Sequence, residues 1–284
     1  MPATSWQPSQ LQRERERYRR KRAFRSWLIA LVSTAVVATV VVLVVGNSSG
    51  WPRTRDSFFD FGTGWHDLPK LLRAFWLNVQ IMLISEAFIL VFAALIAILR
   101  TLRGPAFFPI RFVCAFYVDL FRGLPFLLVL LLVGFGIPSL RLQGAPSSPM
   151  TLAIIALVLT YTAYVSEVFR AGIQSVHPSQ AASARALGLT YSQSMRYVIF
   201  PQAVRRVLPP LLNDFISLQK DTALASILGV IEIVQTGQNY LSGDFKFVHY
   251  VMAGLVFLVL TIPMTRFTDW YAQRQGWINA GAII

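Results

Sequence analysis

Ionisable side chains inside long apolar runs are the residues of this sequence that are best placed to do chemistry. Glu86 lies midway along one run, Asp119 and Arg122 lie three residues apart in a second, and Glu167 and Arg170 have the same spacing near the end of a third. An ionisable group at membrane depth costs about 2.5–3.5 kcal/mol on insertion scales. Each of these groups therefore needs either a charged partner or a water-lined position.

Two interpretations remain open for these groups. The first is that each spaced pair neutralises itself and holds the bundle together, because residues three apart share a helix face. The second is that they line a route for a zwitterionic solute. Glu86 is interpreted either as a residue that lines the pathway or as one that forms a salt bridge to another span. The pathway candidates are Glu86, Asp119, Arg122, Thr160, Tyr164, Glu167 and Asn213.

The sequence does not indicate enzymatic chemistry. It has no G-x-x-x-x-G-K-[ST] phosphate loop and no paired carboxylates in a metal-site setting. A single cysteine, Cys114, excludes a disulfide framework and a thiolate metal site, and the three histidines show no ligand spacing. We expect no catalytic residue, no metal site and no cofactor bound by this chain.

The composition indicates a membrane protein. Of the 284 residues, 55% are hydrophobic and 14% are charged, whereas about a quarter of the residues in a soluble domain are charged. A helix needs about 20 apolar residues to cross a bilayer. Such runs lie at 27–46, 74–99, 112–135, 150–169 and 247–265, with a weaker candidate at 198–218. The sequence therefore predicts an all-α integral membrane protein with about six transmembrane helices.

The charge distribution predicts the orientation. The tail at 1–26 has eight basic residues before the first apolar run. That run exceeds the about 7–15 residues of a signal-peptide core and no A-x-A-like site follows it, so we interpret it as a retained anchor. With alternating spans and the N-terminus inside, inside segments hold 18 basic residues and outside segments hold 7. Both termini are thus predicted to be cytoplasmic, and the tail to contact membrane lipid rather than nucleic acid.

The segment after the fourth span predicts a short surface helix. Pro178 suits a first helical turn, the alanines that follow favour helix, and Gly188 suits a left-handed helix end. Such a helix offers a nearly side-chain-free face to another protein, although an ordinary hairpin lying on the membrane is the alternative. The candidate contact residues are Gln180, Ala181, Ala182, Ser183, Ala184, Arg185, Ala186, Leu187 and Gly188.

Two further segments of the sequence are candidates for a gate in the translocation pathway. Pro201, Pro209 and Pro210 are predicted to interrupt the fifth span, either as a kink or as backbone that lines a cavity. The next external segment, 219–246, contains an apolar stretch that is too short to span. It predicts either a gate helix or a re-entrant turn.

Ordered motifs over residues 74–270 resemble the permease subunits of ABC importers, and within them the polar amino-acid (histidine/glutamine-type) group. Two stretches are similar to its Y-x-x-x-F-R-G-x-P and A-Y-x-x-E-x-x-R-x-G segments. The matching residues are Tyr117, Phe121, Arg122, Gly123, Pro125, Ala163, Tyr164, Glu167, Arg170, Gly172, Ala186, Leu187, Gly188, Leu189, Pro201, Gln202, Ala203, Arg205, Pro209, Pro210, Asn213, Lys220, Asp221 and Thr222. The chain departs from the family at Ala182, which replaces the glutamate of the cytoplasmic loop, at Ser183, which replaces its alanine, and at Ala223, which replaces a serine.

The resemblance implies a type I importer-like core formed by the last five helices, at 74–270, with a coupling loop at 172–197. The helix around 178–190 is then the contact to cytoplasmic ABC ATPase subunits, which use ATP and Mg. The other implied partners are an external solute-binding protein and a second permease copy or a sister permease. The implied function is import of polar or charged amino acids across the plasma (inner) membrane of a prokaryote.

The remaining segments are interpreted as additions to that core. They are a basic cytoplasmic tail at 1–26, an extra anchor at 27–46, an external loop at 47–73 and a cytoplasmic C-terminal tail at 271–284. Two other functions compete with import. An ion-coupled secondary transporter would use Glu86 and Asp119 as proton sites, whereas a non-transporting membrane anchor would use the loop for docking only.

Overall fold

A computed structural model describes residues 10–102 and 104–274, with side chains for all of these except 12–17. The regular structure in these ranges is helical throughout, which confirms the all-α prediction. The α-helices are α1 (Gln10–Gly46), α2 (Trp51–Phe58), α3 (Phe61–Thr101), α4 (Phe108–Gly123), α5 (Phe126–Leu131), α6 (Ile137–Ser139), α7 (Pro149–Ser175), α8 (Pro178–Ala186), α9 (Tyr191–Ser194), α10 (Phe200–Asp221), α11 (Ile233–Asp244) and α12 (Val248–Arg274). Parts of the two predicted tails, residues 1–9 and 275–284, lie outside the described residues.

The chain divides into two compact units, Met1–Phe59 and Asp60–Ile284. The first contains α1, which carries the predicted anchor, and α2. The second contains α3 to α12 and all the candidate site residues. Its first helix begins at Phe61 because the Asp60 side chain accepts a hydrogen bond from the Thr63 N–H. The helix therefore includes residues that the sequence interpretation assigned to an external loop.

Five of the predicted spans coincide with helices of sufficient length and apolarity. Among the described residues, four helical segments pass this test, Tyr18–Gly46, Trp51–Thr101, Pro149–Ser175 and Val248–Arg274. A bent pair, Pro105–Gly123 with Phe126–Ser139, is a fifth if it is counted as one span. The segment 198–218 is helical in α10 but is not among them, since α10 carries charges at both ends and at Asp214.

The predicted span at 112–135 is not one straight helix, which corrects the sequence interpretation. Its two halves meet at 105°. Leu124 between them is extended, with φ −92° and ψ 138°. The cause is Pro125, whose ring disfavours the helical conformation of the residue before it. An apolar run alone does not reveal this bend, but the proline marks its position.

The prolines of the fifth predicted span do not interrupt it, contrary to expectation. Pro201 lies in the first turn of α10, and the helix continues through Pro209 and Pro210 to Asp221. Pro201 follows a π-helical turn, Met195–Ile199, so it lies where the helix type changes and not in the interior of the α-helix. The two interior prolines each remove a donor, but α10 packs against α7 and α12 along its length. This packing holds the helix together where its own hydrogen bonds are missing.

The segment after α10, residues 222–230, turns back into the core of the bundle and is followed by a short helix; we call it the re-entrant turn in this sense only. A 3-10 helix, Thr222–Leu228, ends at Gly229, whose φ is +85°. Ala225 and Val230 then pack in the main core of the bundle. The predicted external segment thus contains both a turn and, in α11, a helix, and its role as a gate stays a prediction.

The main core is centred on α7. Its buried residues face α3 on one side and α5, α10 and the re-entrant turn on the other. The central members of this core are Ile81, Ile89, Ala93, Val129, Leu130, Leu152, Ala153, Ala156, Leu157, Val165, Leu218, Ala225 and Val230. A second, smaller core joins the first half of α3 to α11 and α12 through Leu71, Ile233, Val248, Met252 and Ala253.

Helices α7 and α10 come into close contact at Gly172. A Cβ at this position would lie 2.0 Å from Val207 Cγ1 and 3.5 Å from the Ala203 carbonyl oxygen. Glycine is thus required here because a neighbouring helix occupies the space of a side chain. The contact joins the two helices that flank the predicted coupling loop.

Gly172→Ala is expected to lower the free energy of unfolding by about 1–3 kcal/mol, because overpacking forces the two helices apart. Thermal unfolding in detergent measures the change. Gly254→Ala is the matched control, since a Cβ there meets nothing within 4 Å. Adding Val207→Ala to Gly172→Ala should recover part of the loss, and the absence of any recovery would contradict the steric explanation.

Candidate functional site: a helical loop and buried polar groups

The predicted surface helix is present and has the predicted ends. α8 begins at Pro178, and the His177 ring nitrogen accepts a hydrogen bond from the Ser179 N–H at 3.2 Å. Gly188 has a φ of +79°. The Leu189 N–H donates to the Ala184 carbonyl at 3.1 Å, which closes the helix end. These contacts confirm the helix between His177 and Gly188.

A second short helix follows at once. The Thr190 hydroxyl accepts from the Gln193 N–H at 3.3 Å, and the Gln193 side chain accepts from the Thr190 N–H at 2.9 Å. This reciprocal capping box starts α9. A π-helical turn, Met195–Ile199, then joins α9 to α10 without a break. Apart from the short turns at 176–177 and 187–190, the loop is therefore helical.

The loop is tied to the helices on both sides of it. Gln202 of α10 donates to the Gln180 side chain of α8 at 3.4 Å. Arg206 of α10 donates to the carbonyl oxygen of Ser175 at the end of α7. Ala184 is the buried residue of α8 itself. Of the two hydrogen bonds, the first thus links α8 to α10, and the second links α10 to the end of α7.

The outer surface of the loop is apolar at its tip and basic around it. Leu187 is 81% exposed, and Tyr191 and Tyr197 are exposed as well. Residues 168–206 contain no aspartate or glutamate. Of the predicted contact residues, Ala184 is buried and Ala181 is half-buried. The exposed ones are Gln180, Ala182, Ser183, Arg185, Ala186, Leu187 and Gly188.

Glu167 forms the predicted ion pair and has a second partner. Its carboxylate accepts from Arg170 one turn later, at 2.9 Å from Nε. It also accepts from Nη1 of Arg100, at the end of α3, at 2.7 Å. Arg100 lies 67 residues away in the chain, so sequence spacing could not reveal this contact. The triad joins α3 to α7.

Asp119 and Arg122, the other pair spaced three residues apart, do not form the predicted ion pair. Within the described residues, no ion pair joins Asp119 to Arg122, and both side chains are exposed on α4. The Arg122 guanidinium instead lies 5.8 Å from the centre of the Tyr164 ring. The Tyr164 hydroxyl donates to the Arg122 carbonyl at 3.4 Å. Two of the pathway candidates are therefore neighbours, although not in the predicted combination.

Glu86 has another acid as its neighbour rather than a base. It is half-buried on α3, within electrostatic range of Asp214 on α10. No described cation lies within ion-pair distance of Glu86, so the predicted alternative of a salt bridge to another span is wrong for the described part. The pathway-lining alternative is untested. Asn213, beside Asp214, is exposed.

Thr160 does not lie on an open surface. It is only 1% exposed, and its hydroxyl has no hydrogen-bond partner within the described structure. The next residue, Tyr161, donates to the Asp221 carboxylate at the end of α10 at 2.8 Å. Sequence analysis missed this contact because the two residues lie 60 positions apart in the chain.

A buried polar network fixes the re-entrant turn. Asn78 of α3 donates to the carboxylate of Glu232 at 2.8 Å and to the Thr222 hydroxyl at 3.2 Å. Its own oxygen accepts from the Ile233 N–H at 3.3 Å. Glu232 also accepts from the Gln235 N–H at 2.9 Å, which starts α11. The side chains of Asn78, Thr222 and Glu232 are almost wholly buried.

Asn78→Leu is expected to destabilise the fold by about 1–3 kcal/mol, since it leaves the buried Glu232 and Thr222 side chains without their donor. The measurement is unfolding in detergent followed by circular dichroism. Asn239→Leu makes the same exchange at an exposed position of α11 and should change stability by less than about 0.5 kcal/mol. Equal losses in the two variants would rule out the network as the cause.

Together these features define an integral membrane protein of the permease class, with a tied surface loop between two packed helices. The chain belongs to the family described as the binding-protein-dependent transport system inner membrane component, which matches residues 106–277. The resemblance drawn from the sequence is confirmed. The matched region includes α4 to α12, with the helical loop between α7 and α10.

Curated relatives align over most of their own length. A probable amino-acid permease protein of Bacillus subtilis is 33% identical over 73% of this chain and 92% of its own. The glutamate transport system permease protein GluC of Corynebacterium glutamicum is 35% identical over 71% and 92%. The glutamine transport system permease protein GlnP of Escherichia coli K12 is 30% identical over 73% and 93%.

Solved structures agree with the sequence relatives. A chain from a crystal structure of an amino acid ABC transporter with histidines is 28% identical and has a TM-score of 0.69. The match covers 76% of this chain and 98% of that one. Chains of the MetNI methionine ABC transporter share the fold at 18% identity, with a TM-score of 0.59.

Proposed function

We propose that this chain is the permease subunit of an ATP-driven importer for polar or charged amino acids. The observation that carries the proposal is the loop between α7 and α10, which combines an exposed tip with fixed attachments to both helices. An external binding protein delivers the solute, and separate ATPase subunits move the helices. The chain holds no phosphate loop, so the partner uses the ATP and Mg.

Coupling follows from how the loop is held. The ATPase binds the exposed residues of α8 and of the turn that follows it. Leu187 is the apolar contact, and the arginines around Leu187 form a basic rim. Movement of α8 is transmitted through Gln180 and Gln202 to α10, and from Arg206 of α10 to the Ser175 carbonyl at the end of α7. Because α7 and α10 are in contact at Gly172, the two helices move as a pair. This gives the two-state change that alternating access needs.

The glutamate missing at position 182 does not leave the loop without a docking surface. The exposed Leu187, Tyr191 and Tyr197 supply apolar area, and the loop retains only basic charges. We infer that the ATPase surface facing it is apolar at its centre and acidic at its rim. A sister permease with the intact motif is compatible with this surface.

The proposed orientation places both termini and the α8–α9 loop in the cytoplasm, according to the distribution of basic residues. The α11–α12 corner and the start of α3 then face the binding protein outside. Arg19, Arg20, Lys21, Arg22 and Arg25 are exposed on α1. These side chains are suited to anionic lipid headgroups at the inner surface.

The substrate class rests on the named relatives, which transport glutamate or glutamine. Within this chain, a pathway between α3, α4, α7 and α10 would be lined by the half-buried Glu86 and the exposed Asp119, Arg122, Tyr164 and Asn213. These side chains offer both charge signs, as a zwitterionic solute requires. Thr160 would support this lining from behind, since it is buried.

Co-purification tests the proposed coupling. The chain is co-expressed with the ABC ATPase encoded nearest to it and extracted in mild detergent. We expect the ATPase to travel with the native chain and to be lost when the exposed Ala182 and Ala186 of α8 are both replaced by aspartate. Circular dichroism establishes that the variant remains helical. Failure of the native chain to retain any ATPase, with uptake following a proton gradient, would favour an ion-coupled secondary transporter instead.

A further inference from the structure

The re-entrant turn makes a close contact with the second half of the bent helix pair. Leu228 of the turn lies against Gly134, which is buried in a π-helical turn, Leu132–Gly136, between α5 and α6. A Cβ at Gly134 would overlap both Cδ atoms of Leu228 and would lie 3.0 Å from its Cγ. The missing side chain of Gly134 thus leaves a notch that the leucine side chain fills.

Polar bonds hold the two ends of the turn. Asn78 of α3 donates to the Thr222 hydroxyl at the first end and accepts from the Ile233 N–H just beyond the last. Tyr161 of α7 donates to Asp221, the residue before the turn, at 2.8 Å. A single side chain of α3 therefore holds both ends, and α7 holds the end of α10 from which the turn starts.

The middle segment of the turn, residues 223–230, bonds its polar groups within itself. Ser226 has its only polar side chain, and the Ser226 hydroxyl donates to the Ala223 carbonyl at 2.7 Å. The Gly229 N–H donates to the Ser226 carbonyl at 2.8 Å. The packing of the middle segment in the main core is apolar. A movement of the middle segment as a unit therefore breaks none of these hydrogen bonds.

The backbone on both sides of the contact is irregular. Leu228 is the last residue of a 3-10 helix, and Gly134 lies in the π-helical turn. Helix segments of these two types often mark hinges and functional sites. Gly229 follows Leu228 with a φ of +85°, which glycine adopts without steric cost. The contact thus joins two segments whose backbone is suited to a change of conformation.

A cleft of about 300 Å³ lies between the start of the middle segment and α12. Its lining includes Ala223 of the turn, Val234 of α11, and Ala253 and Gly254 of α12. Ala223 is also a position at which the chain departs from the family motif, where alanine replaces the larger, polar serine. These small apolar residues leave space for the middle segment to move away from Gly134 toward α12.

We propose that the middle segment of the re-entrant turn is a hinged gate, which is closed when Leu228 fills the notch at Gly134 and opens when the segment moves toward α12. The inference rests on the proposed function, because a gate has a role only if solute crosses the chain. The bonds of Asn78 form the hinge. The turn leads to the α11–α12 corner, so in the proposed orientation the gate closes the outer end of the pathway. Tyr161 connects the two, since its ring lies 6.3 Å from that of Tyr164.

A disulfide between positions 134 and 228 tests the gate. The Cβ position at 134 lies 3.0 Å from Leu228 Cγ, which is one bond from the Leu228 Cβ, and the Cβ atoms of a disulfide lie about 3.5–4.5 Å apart. The chain carries Cys114→Ala, Gly134→Cys and Leu228→Cys, and is reconstituted into proteoliposomes with the ATPase and the binding protein encoded nearest to it. Oxidation should form the bond and lower ATP-driven uptake of a polar or charged amino acid about tenfold or more, because the gate then stays closed. Reduction should restore uptake.

A matched pair two residues away provides the control. Gly136→Cys with Leu228→Cys, in the same Cys114→Ala background, should form no bond, since a Cβ at 136 meets nothing within 4 Å. The oxidant should then leave uptake unchanged. The ATPase should also co-purify with the oxidised 134–228 chain. Its loss would place the effect at the coupling loop and contradict the gate.

A second variant decides the matter if Gly134→Cys does not fold. Ala223→Leu fills part of the cleft and should lower uptake about fivefold, whereas Ser242→Leu, at an exposed position of α11, should not. Native uptake in Ala223→Leu would then overturn the proposal. A 134–228 pair that does not cross-link, or a cross-linked chain that transports as well as its reduced form, would overturn it as well. Absence of ATP-driven uptake by the native chain is a separate result, which removes the proposed function and the gate with it.

Discussion

Replacing Leu187 with aspartate is expected to weaken the association of this chain with the proposed ATPase subunit by about tenfold to hundredfold. A leucine side chain buried on binding contributes about 1.5–3 kcal/mol, and a tenfold change in affinity corresponds to about 1.4 kcal/mol. Leu187 is 81% exposed, so the exchange removes this contact without disturbing the fold of the chain. ATP-driven uptake should fall in parallel.

The binding loss is measured by titrating the purified ATPase against nanodisc-embedded permease. Ser242→Asp adds the same charge at an exposed site on α11 and should bind as the native chain does. Leu187→Met conserves volume and apolarity, and should retain most of the affinity. Native affinity in Leu187→Asp would show that the tip of the loop is not the contact.

Glu167→Gln is expected to lower the free energy of unfolding by about 2–4 kcal/mol. The substitution leaves the guanidinium groups of Arg100 and Arg170 close together without their shared anion, and removing one partner of a buried ion pair costs about 3–5 kcal/mol. The three side chains are 17–31% exposed, which lowers the expected loss. Because the triad joins α3 to α7, uptake should also fall as the helices separate.

The control for Glu167→Gln is Asp119→Asn. Asp119 is exposed and makes no ion pair within the described structure, so its neutralisation should change stability by less than about 0.5 kcal/mol. Thermal unfolding of both variants in the same detergent provides the comparison. A loss in Asp119→Asn equal to that in Glu167→Gln would contradict the assignment of the triad.

The sequence predicts local structure well where backbone chemistry decides it. Pro178 and Gly188 fix the two ends of α8 because one residue restricts φ and the other tolerates a positive φ. The apolar runs likewise mark the membrane-crossing helices, since span length follows from bilayer thickness. Pro125 likewise explains the bend between α4 and α5 because it restricts the residue before it, although the length of the apolar run favoured a single span.

Contacts between distant parts of the chain could not be predicted in this way. Spacing suggested that Arg122 neutralises Asp119, yet the fold places it over Tyr164. Arg100 reaches Glu167 from another helix, and the neighbour of Glu86 is the acid Asp214. Pro209 and Pro210 signalled a break, but packing against α7 and α12 keeps α10 continuous. Tertiary packing decides each of these outcomes.

Uptake into proteoliposomes tests the central claim most directly. Vesicles contain this chain and its ATPase, with the binding protein encoded beside them outside and ATP with Mg sealed inside. We predict accumulation of a radiolabelled polar or charged amino acid that requires internal ATP, persists when the proton gradient is collapsed, and is lost with Leu187→Asp. Uptake that needs no ATP and disappears when the proton gradient is collapsed would contradict the account.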